Sequence, residues 1–433
     1  MISRGVVSIG KSSGGAEHVA YELARHLANR GEEVILIADA DADVLARSPA
    51  SLSVVSVGRP GAFDWLVSRL PLEFPRWVLQ HLLGNVRAAR RARLLLRTSP
   101  AGFDAVHSHC ALATILVRPV IGAGVGAIPL VYTEHDSTPW SCRYRHWFER
   151  LVRRCVYRQV NLRACRAATA VVTNFAALAD EIAQRAGIPR SRFVTVPNAT
   201  AVARQASRAA AASIRARHGM DRYCLFVGAL IDRKCPDILL RALTRVSMPC
   251  IFVGDGPMRP ALERLASESG ISDRVIFTGA LERREISTYY SGAEALVLPS
   301  VSEGVPLVTI EALGAGLPVV ASNLGGIASV VRHRRNGLLV RPGDQDALAQ
   351  ALALIEADKS LRAALRHGAL ASAGVTARTW PEVVNTMSTL YVKSRPVLAV
   401  PRPRTKANPL PAGPRLGELP ELAITPSKGS LDA

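Results

Sequence analysis

A chain of 433 residues exceeds what one small core can hold, and length alone favours two domains of roughly 200 residues each. With 48% hydrophobic and 21% charged residues, the composition excludes a disordered polymer. A net charge of +19, carried by 48 arginines and only six lysines, makes the surface attractive to polyanions: phosphorylated substrates, nucleic acid or anionic lipid headgroups.

In chain order, Met1 to Gly10 passes into a glycine turn without the apolar region of a secretory signal. Val6 to Ile9 and Val34 to Ile37 read as strands, with a helical period from Ala16 to Arg30 between them. Further strands are expected at Ala105 to His107, Leu130 to Tyr132, Ala170 to Val172 and Phe193 to Val196. The stretch from Ala111 to Val131 approaches membrane-spanning length. It is broken by Arg118, Pro119, Gly122, Gly124, Gly126 and Pro129, which reads as a helix, a loop and a buried strand. After the alanine-rich segment Thr200 to His218, a flexible connection or a helix, the pattern restarts at Cys224 to Val227, Cys250 to Val253, Val275 to Phe277, Ala295 to Leu298 and Val319 to Val320. A helical period spans Asp237 to Val246. Strand–helix alternation run twice predicts an α/β protein of two Rossmann-like parallel-sheet domains facing across a cleft.

The boundaries are expected as an N-terminal domain at 1–198, a linker at 199–218, a C-terminal domain at 219–376, and a helix at 377–393 packing back toward the N-terminal domain. The tail, 394–433, carries eight prolines and no period, and reads as disordered. Seven cysteines form no CxxC pair, so free buried thiols in a reducing compartment are expected. Together these features point to a cytoplasmic protein, soluble or peripheral on the inner membrane.

Ligands of this fold class bind beyond the carboxyl ends of the strands. Gly14 and Gly15, between the first strand and first helix, allow close backbone approach to an anion at a helix start, although a tight turn explains them equally. Arg233 and Lys234 end the loop after Cys224 to Val227 and can clamp a diphosphate; a solvated loop is the alternative. Phe252 to Pro257 adds a glycine loop after the next strand, a ribose or base lining or only a turn. In Ser302 to Glu311, Glu303 precedes a helix expected to begin near Pro306, and Glu311 is expected about two turns into it. Carboxylates accept hydrogen bonds from vicinal hydroxyls, and the free N–H groups of Gly304, Val305 and Leu307 suit a phosphate. Neither carboxylate has a basic neighbour in sequence.

Glu303 and Glu311, with seven residues between, resemble the E-x7-E signature of the retaining group 1 (family 4) glycosyltransferases of GT-B fold. Other blocks follow in that family's order: Ser13-Gly14-Gly15-Ala16-Glu17, Tyr132-Thr133-Glu134-His135-Asp136, Thr195-Val196-Pro197-Asn198, Leu324-Gly325-Gly326-Ile327, and Asn336 to Val340 with Pro342-Gly343-Asp344. The resemblance implies transfer of a hexose from a nucleotide diphosphate sugar, UDP- or GDP-linked, to a glycan or lipid-linked acceptor in cell-surface polysaccharide or glycolipid synthesis. It implies no metal and no cofactor beyond the donor itself. By it, Lys234 and Arg233 neutralise the diphosphate, and Glu311 holds the ribose. Glu303 with Gly304, Val305, Pro306 and Leu307 meets the transferred sugar and its phosphate, while His135 meets the sugar near the reaction centre. Gly14 and Gly15 border the diphosphate or the acceptor. The pattern departs at Ala229, where an arginine is usual, at Ala199, where glycine is usual, and at Ser329, where glutamate is usual. Other GT-B activities, a nucleotide-sugar epimerase or a sugar phosphorylase, and a non-catalytic membrane-docking or glycan-binding protein are the alternatives.

Two basic stretches remain. Arg143, Arg145, Arg150, Arg153, Arg154, Arg158, Arg163 and Arg166 face only Glu149, and Trp65, Phe74 and Trp77 with several leucines precede Arg87, Arg90, Arg91, Arg93 and Arg97. Aromatic and leucine residues beside arginines suit a helix lying on an anionic membrane; a charged face over an ordinary core suits them as well. Nothing resembling an RNA- or DNA-binding motif accompanies them, so no nucleic-acid partner is expected.

Overall fold

The computed structural model describes residues 8–9, 15–40, 48–55, 73–98, 102–122, 127–135, 153–199, 208–376 and 378–394. Gly14 and the residues before it in the glycine loop, the arginines from Arg143 to Arg150, residues 200–207 of the connection and the proline-rich tail lie outside the described residues.

In the first half, strand β1 (Ser8–Ile9) pairs with β3 (Asp39–Ala40), and β2 (Val34–Ile37) with β4 (Leu52–Val55). Strands β5 (Val106–Ser108), β6 (Leu130–Glu134), β7 (Ala170–Thr173) and β8 (Phe193–Thr195) form a four-stranded sheet in sequence order. Every pairing is parallel. β6 and β7 are buried at each position, as strands covered on both faces must be. The helices between them are α1 (Gly15–Asn29), α2 (Glu73–Thr98), α3 (Ala111–Ile121), α4 (Arg158–Ala167) and α5 (Ala176–Ala186). In α1, Ala20, Tyr21, Leu23, Ala24, Leu27 and Ala28 are buried, a helical stripe set by their spacing. The apolar run from Ala111 divides as its breakers dictate: α3 stops at Gly122 and β6 begins at Leu130. No described helix is long and apolar enough to cross a membrane.

After helix α6 (Arg208–His218), the second half alternates β9 (Cys224–Val227), α7 (Pro236–Leu243), β10 (Cys250–Val253), α8 (Arg259–Glu268), β11 (Val275–Gly279), α9 (Arg283–Gly292), β12 (Ala295–Leu298), α10 (Leu307–Gly314), β13 (Val319–Ser322), α11 (Gly325–Ala328) and β14 (Gly337–Val340). Helices α12 (Gln345–Ala357), α13 (Lys359–Thr376) and α14 (Trp380–Lys393) follow. The six strands run parallel in the order β11-β10-β9-β12-β13-β14. This is a Rossmann order, and its winding reverses between β9 and β12, where a crevice opens at the carboxyl ends. Helix α7 starts at Pro236 and ends at Leu243, shorter than its apolar period, because Cys235 enters it in left-handed conformation and Thr244 closes it. Among the described cysteines Cys155 is exposed, against the expectation of burial, and none is bridged.

The two halves share an apolar cluster that contains Tyr132 and Phe175 of the first and Val305, Leu324 and Ile327 of the second. Asn198, at the end of the first half, donates through Nδ2 to the carbonyl of Val305 at 2.9 Å. Helix α14 returns to the first half. Its Trp380 stacks on His26 of α1 with ring centroids 5.2 Å apart, and its buried face joins Leu23 and Leu27.

Gly254, just after β10, has φ +136, and a Cβ there would overlap the carbonyl of Gly228 after β9. Gly254→Ala is therefore expected to cost about 2 kcal/mol or more. A thermal midpoint equal to wild type would contradict this close loop contact.

Candidate active site

The crevice at the winding reversal is built by two loops. The loop after β9 carries Arg233 and Lys234 in a short 3-10 turn (Asp232–Lys234), and the loop after β12 carries Ser300 to Pro306. They are tied by the Val301 N–H, which donates to the Arg233 carbonyl at 2.9 Å. Lys234 Nζ pairs with Glu303 Oε1, and Ser300 Oγ donates to the same oxygen at 2.8 Å. Glu303 is buried and Lys234 mostly so, at 7% and 12% exposure. Burial alone would raise the Glu303 carboxyl. The charges of Lys234 and Arg233, with the hydrogen bonds from Lys234 and Ser300, outweigh it and hold the carboxyl below its ordinary range. Glu303 is thus an anion at neutral pH, and Lys234 is the ammonium that keeps it so.

Gly304 packs against α11: a Cβ on Gly326 would overlap the Gly304 carbonyl, so only glycine lets that helix cover the loop. Val305 accepts the bond from Asn198 described above. Pro306 takes the cap of α10 with φ −65 and ψ 130, so the helix proper begins at Leu307, one residue later than the proline suggested. Glu311 accordingly lies one turn into α10 rather than two. Leu307 faces the first half, where Cβ on Gly15 would lie 3.8 Å from Leu307 Cδ1. The start of α1 and the start of α10 therefore meet across the cleft.

Glu311 is buried, and Arg283 and Tyr290 both hold it. Arg283 Nη1, at the first residue of α9, pairs with Oε1, and Tyr290 OH donates to Oε2 at 2.9 Å. Burial, reinforced by Glu311, pushes the Tyr290 phenol well above its ordinary value, so it stays a donor. Arg283 also bears on the first half. Burial and then the charges of Arg283 and Arg25 push His18 of α1 down to about 3. Sequence reasoning missed Arg283 and Tyr290, which lie 28 and 21 residues before Glu311. Their only sequence signal is the helical spacing that puts both on one side of α9.

On the opposite wall, His135 follows β6 and is buried. Its Nε2 lies 2.7 Å from Nδ1 of His109, which follows β5, and their rings are 5.0 Å apart. The adjacent Glu134 accepts from Tyr132 OH at 2.7 Å and Asn161 Nδ2 at 2.6 Å. Of the other predicted site residues, Gly14 is outside the described residues. Of the departures, Ser329 donates through Oγ to the Gly326 carbonyl at 2.6 Å, turning back on its own helix.

The family described as Glycosyl transferases group 1 matches residues 208–370, and that described as Glycosyltransferase Family 4 matches residues 13–204. A D-inositol 3-phosphate glycosyltransferase of Acidothermus cellulolyticus is 31% identical over 385 residues, 83% of this chain and 82% of that protein. The chain belongs to the group 1 glycosyltransferases. Some similarity within the family is more local: an uncharacterized glycosyltransferase of Methanocaldococcus jannaschii is 32% identical over 146 residues, so the match spans only 37% of that relative. Among solved structures, Anabaena HepE in complex with UDP-glucose superposes with a TM-score of 0.67 at 20% identity, covering 90% of this chain and 99% of the other. That likeness is one of fold: two Rossmann-like domains in the GT-B arrangement, as the resemblance implied.

Because Glu303 is more acidic in the folded protein than in the unfolded chain, its pairing stabilises the fold fully above the unfolded value and loses effect as pH falls through the folded one. Lys234→Met should therefore unfold more readily than wild type at neutral pH, and the gap should narrow once pH drops below about 4. Urea titrations at a series of pH values check this; a gap independent of pH would refute the pairing.

Proposed function

We propose that this group 1 glycosyltransferase moves a hexose from a UDP- or GDP-sugar to a glycan or lipid-linked acceptor with retention of anomeric configuration and without a metal. The observation that carries the reading is the buried Lys234–Glu303 pair at the winding reversal, with Glu311 one turn into the neighbouring helix. A diphosphate entering there meets Lys234, Arg233 and the uncommitted N–H groups at the start of α10. Glu311, already oriented by Tyr290 and Arg283, keeps acceptor capacity for the ribose hydroxyls. Glu303 and His135 face the sugar from opposite walls.

In the reaction the bond from the anomeric carbon to the diphosphate breaks, and the acceptor oxygen bonds on the same face. The acceptor proton passes to the departing phosphate oxygen. The charge that develops on the leaving group is what Lys234, Arg233 and the backbone N–H groups stabilise, the task a metal performs elsewhere. The UDP-glucose held by HepE, which shares the fold, supports a nucleotide-sugar donor. The D-inositol 3-phosphate named for the Acidothermus relative illustrates a small phosphorylated acceptor, alongside the glycan or lipid-linked class proposed for this chain.

Lys234→Ala and Glu311→Ala should each lower transfer at least tenfold, since each removes a contact to a charged or polyhydroxylated group. Calorimetry with a series of UDP- and GDP-sugars identifies the donor, and nucleotide release that requires an acceptor indicates transfer. Interconversion of free nucleotide sugar would indicate epimerisation, and wild-type rates in both variants would overturn the site.

A second reading concerns location: the first half docks on an anionic membrane. Arg90, Leu94 and Arg97 are exposed at helical spacing on α2, opposite the buried Ala88, Ala89 and Ala92. Flotation with liposomes containing phosphatidylglycerol should carry the protein upward, and with neutral liposomes should not. Equal behaviour in both would defeat membrane docking by charge.

A further inference from the structure

Behind His135 lies a file of side chains to which the proposed reaction gives no role. Tyr391, near the end of α14, reaches the first half with its hydroxyl 2.8 Å from Nδ1 of His107 on β5. His107 Nε2 lies 2.7 Å from Thr133 Oγ1 on β6. The His107 ring packs on His109 with centroids 4.3 Å apart, and His109 Nδ1 meets His135 Nε2 at 2.7 Å. All three imidazoles are buried.

The protons in this file can be placed. Burial raises the Tyr391 phenol above its ordinary value, so it keeps its hydrogen, and among the described residues it can donate that hydrogen to His107 Nδ1, 2.8 Å away. His107 is held well below its ordinary value, by burial first and then by His109, so its ring is neutral. With Nδ1 accepting, the hydrogen sits on Nε2 and is donated to Thr133. His107 is thereby fixed in one tautomer and one orientation, and its face fixes the plane of His109. Between His109 Nδ1 and His135 Nε2, 2.7 Å apart, one hydrogen is shared when both rings are neutral. Whichever ring carries it, the state of His135 Nε2 determines whether its Nδ1 is a donor or an acceptor.

We infer that His109 is a positioning residue for His135, setting its tautomer and ring orientation, and that Tyr391 of the last helix anchors this arrangement through His107. The inference deepens the reading of His135 as the residue facing the donor sugar, since a defined tautomer gives a sugar hydroxyl one hydrogen-bond polarity to match. It also ties the end of the chain to the reacting side of the first half.

The test is nuclear magnetic resonance of the full chain labelled with ¹⁵N-histidine, reading which ring nitrogen of each histidine bears hydrogen. In the wild type, His107 should show hydrogen on Nε2 alone, and His135 a single tautomer. His109→Ala should turn the His135 signals into an average of the two tautomers. His109→Asn, whose side-chain amide can stand where Nδ1 stood, should restore one tautomer. Tyr391→Phe should release His107 into an average while the protein remains folded. His135 unchanged by His109→Ala, or His107 bearing hydrogen on Nδ1 in the wild type, would overturn the inference. UDP binding measured by calorimetry on the same variants separates the two levels: its loss in Lys234→Ala alone bears on the donor site, and the histidine spectra stand independently of it.

Discussion

A buried ion pair between Lys234 and Glu303 joins the two loops that leave the sheet where its winding reverses. Without a counter-charge, either group would be unstable there, since removing one partner of such a pair costs about 3–5 kcal/mol. With both present, the loops after β9 and β12 are locked into a shared wall, and the backbone bond from Val301 to Arg233 repeats the connection. The rest of the second half is arranged around that wall. The Gly304 carbonyl sits under α11 because Gly326 has no side chain, and Val305 offers its carbonyl to Asn198 of the first half. The diphosphate site proposed above uses the same arrangement, with the Lys234 side chain already held by Glu303.

The opposite wall works on the other principle. Where the second half concentrates charge, the first half buries imidazoles in contact, and burial keeps His107 uncharged. Charged groups act through distance and tolerate some displacement. Neutral hydrogen bonds act through direction, so such a wall needs support from behind. The support comes from a helix 284 residues away in sequence, whose Tyr391 touches His107. The returning α14, clamped by the Trp380–His26 stack, is therefore a structural extension of the first half although it lies beyond the second.

The carboxylates show how local pattern and long-range contact divide the work. Glu311 sits on α10 by helical spacing alone, but its two oxygens are assigned by Arg283 and Tyr290 of α9. The reading that neither carboxylate has a basic neighbour holds along the chain and fails in space. Pro306 was legible as a helix start because its ring fixes φ, yet the turn it occupies is the cap, since ψ 130 leaves it outside the helix.

What the sequence determined by itself was the alternation of β-branched runs with helical periods, and hence two parallel sheets with loops at their carboxyl ends. These are local properties: a strand's burial on both faces and a helix's apolar stripe are written in consecutive residues. The same holds for the order of the glycine, histidine and E-x7-E blocks, which identified the family. Only the tertiary structure decided that Lys234 meets Glu303 and Arg283 meets Glu311, or that His109 stands beside His135. Contacts between residues tens to hundreds apart depend on strand order and loop height, and no period along the chain encodes them. The position of β9 beside β12, with two strands sorted to one side and two to the other, is what converts separate motifs into one site.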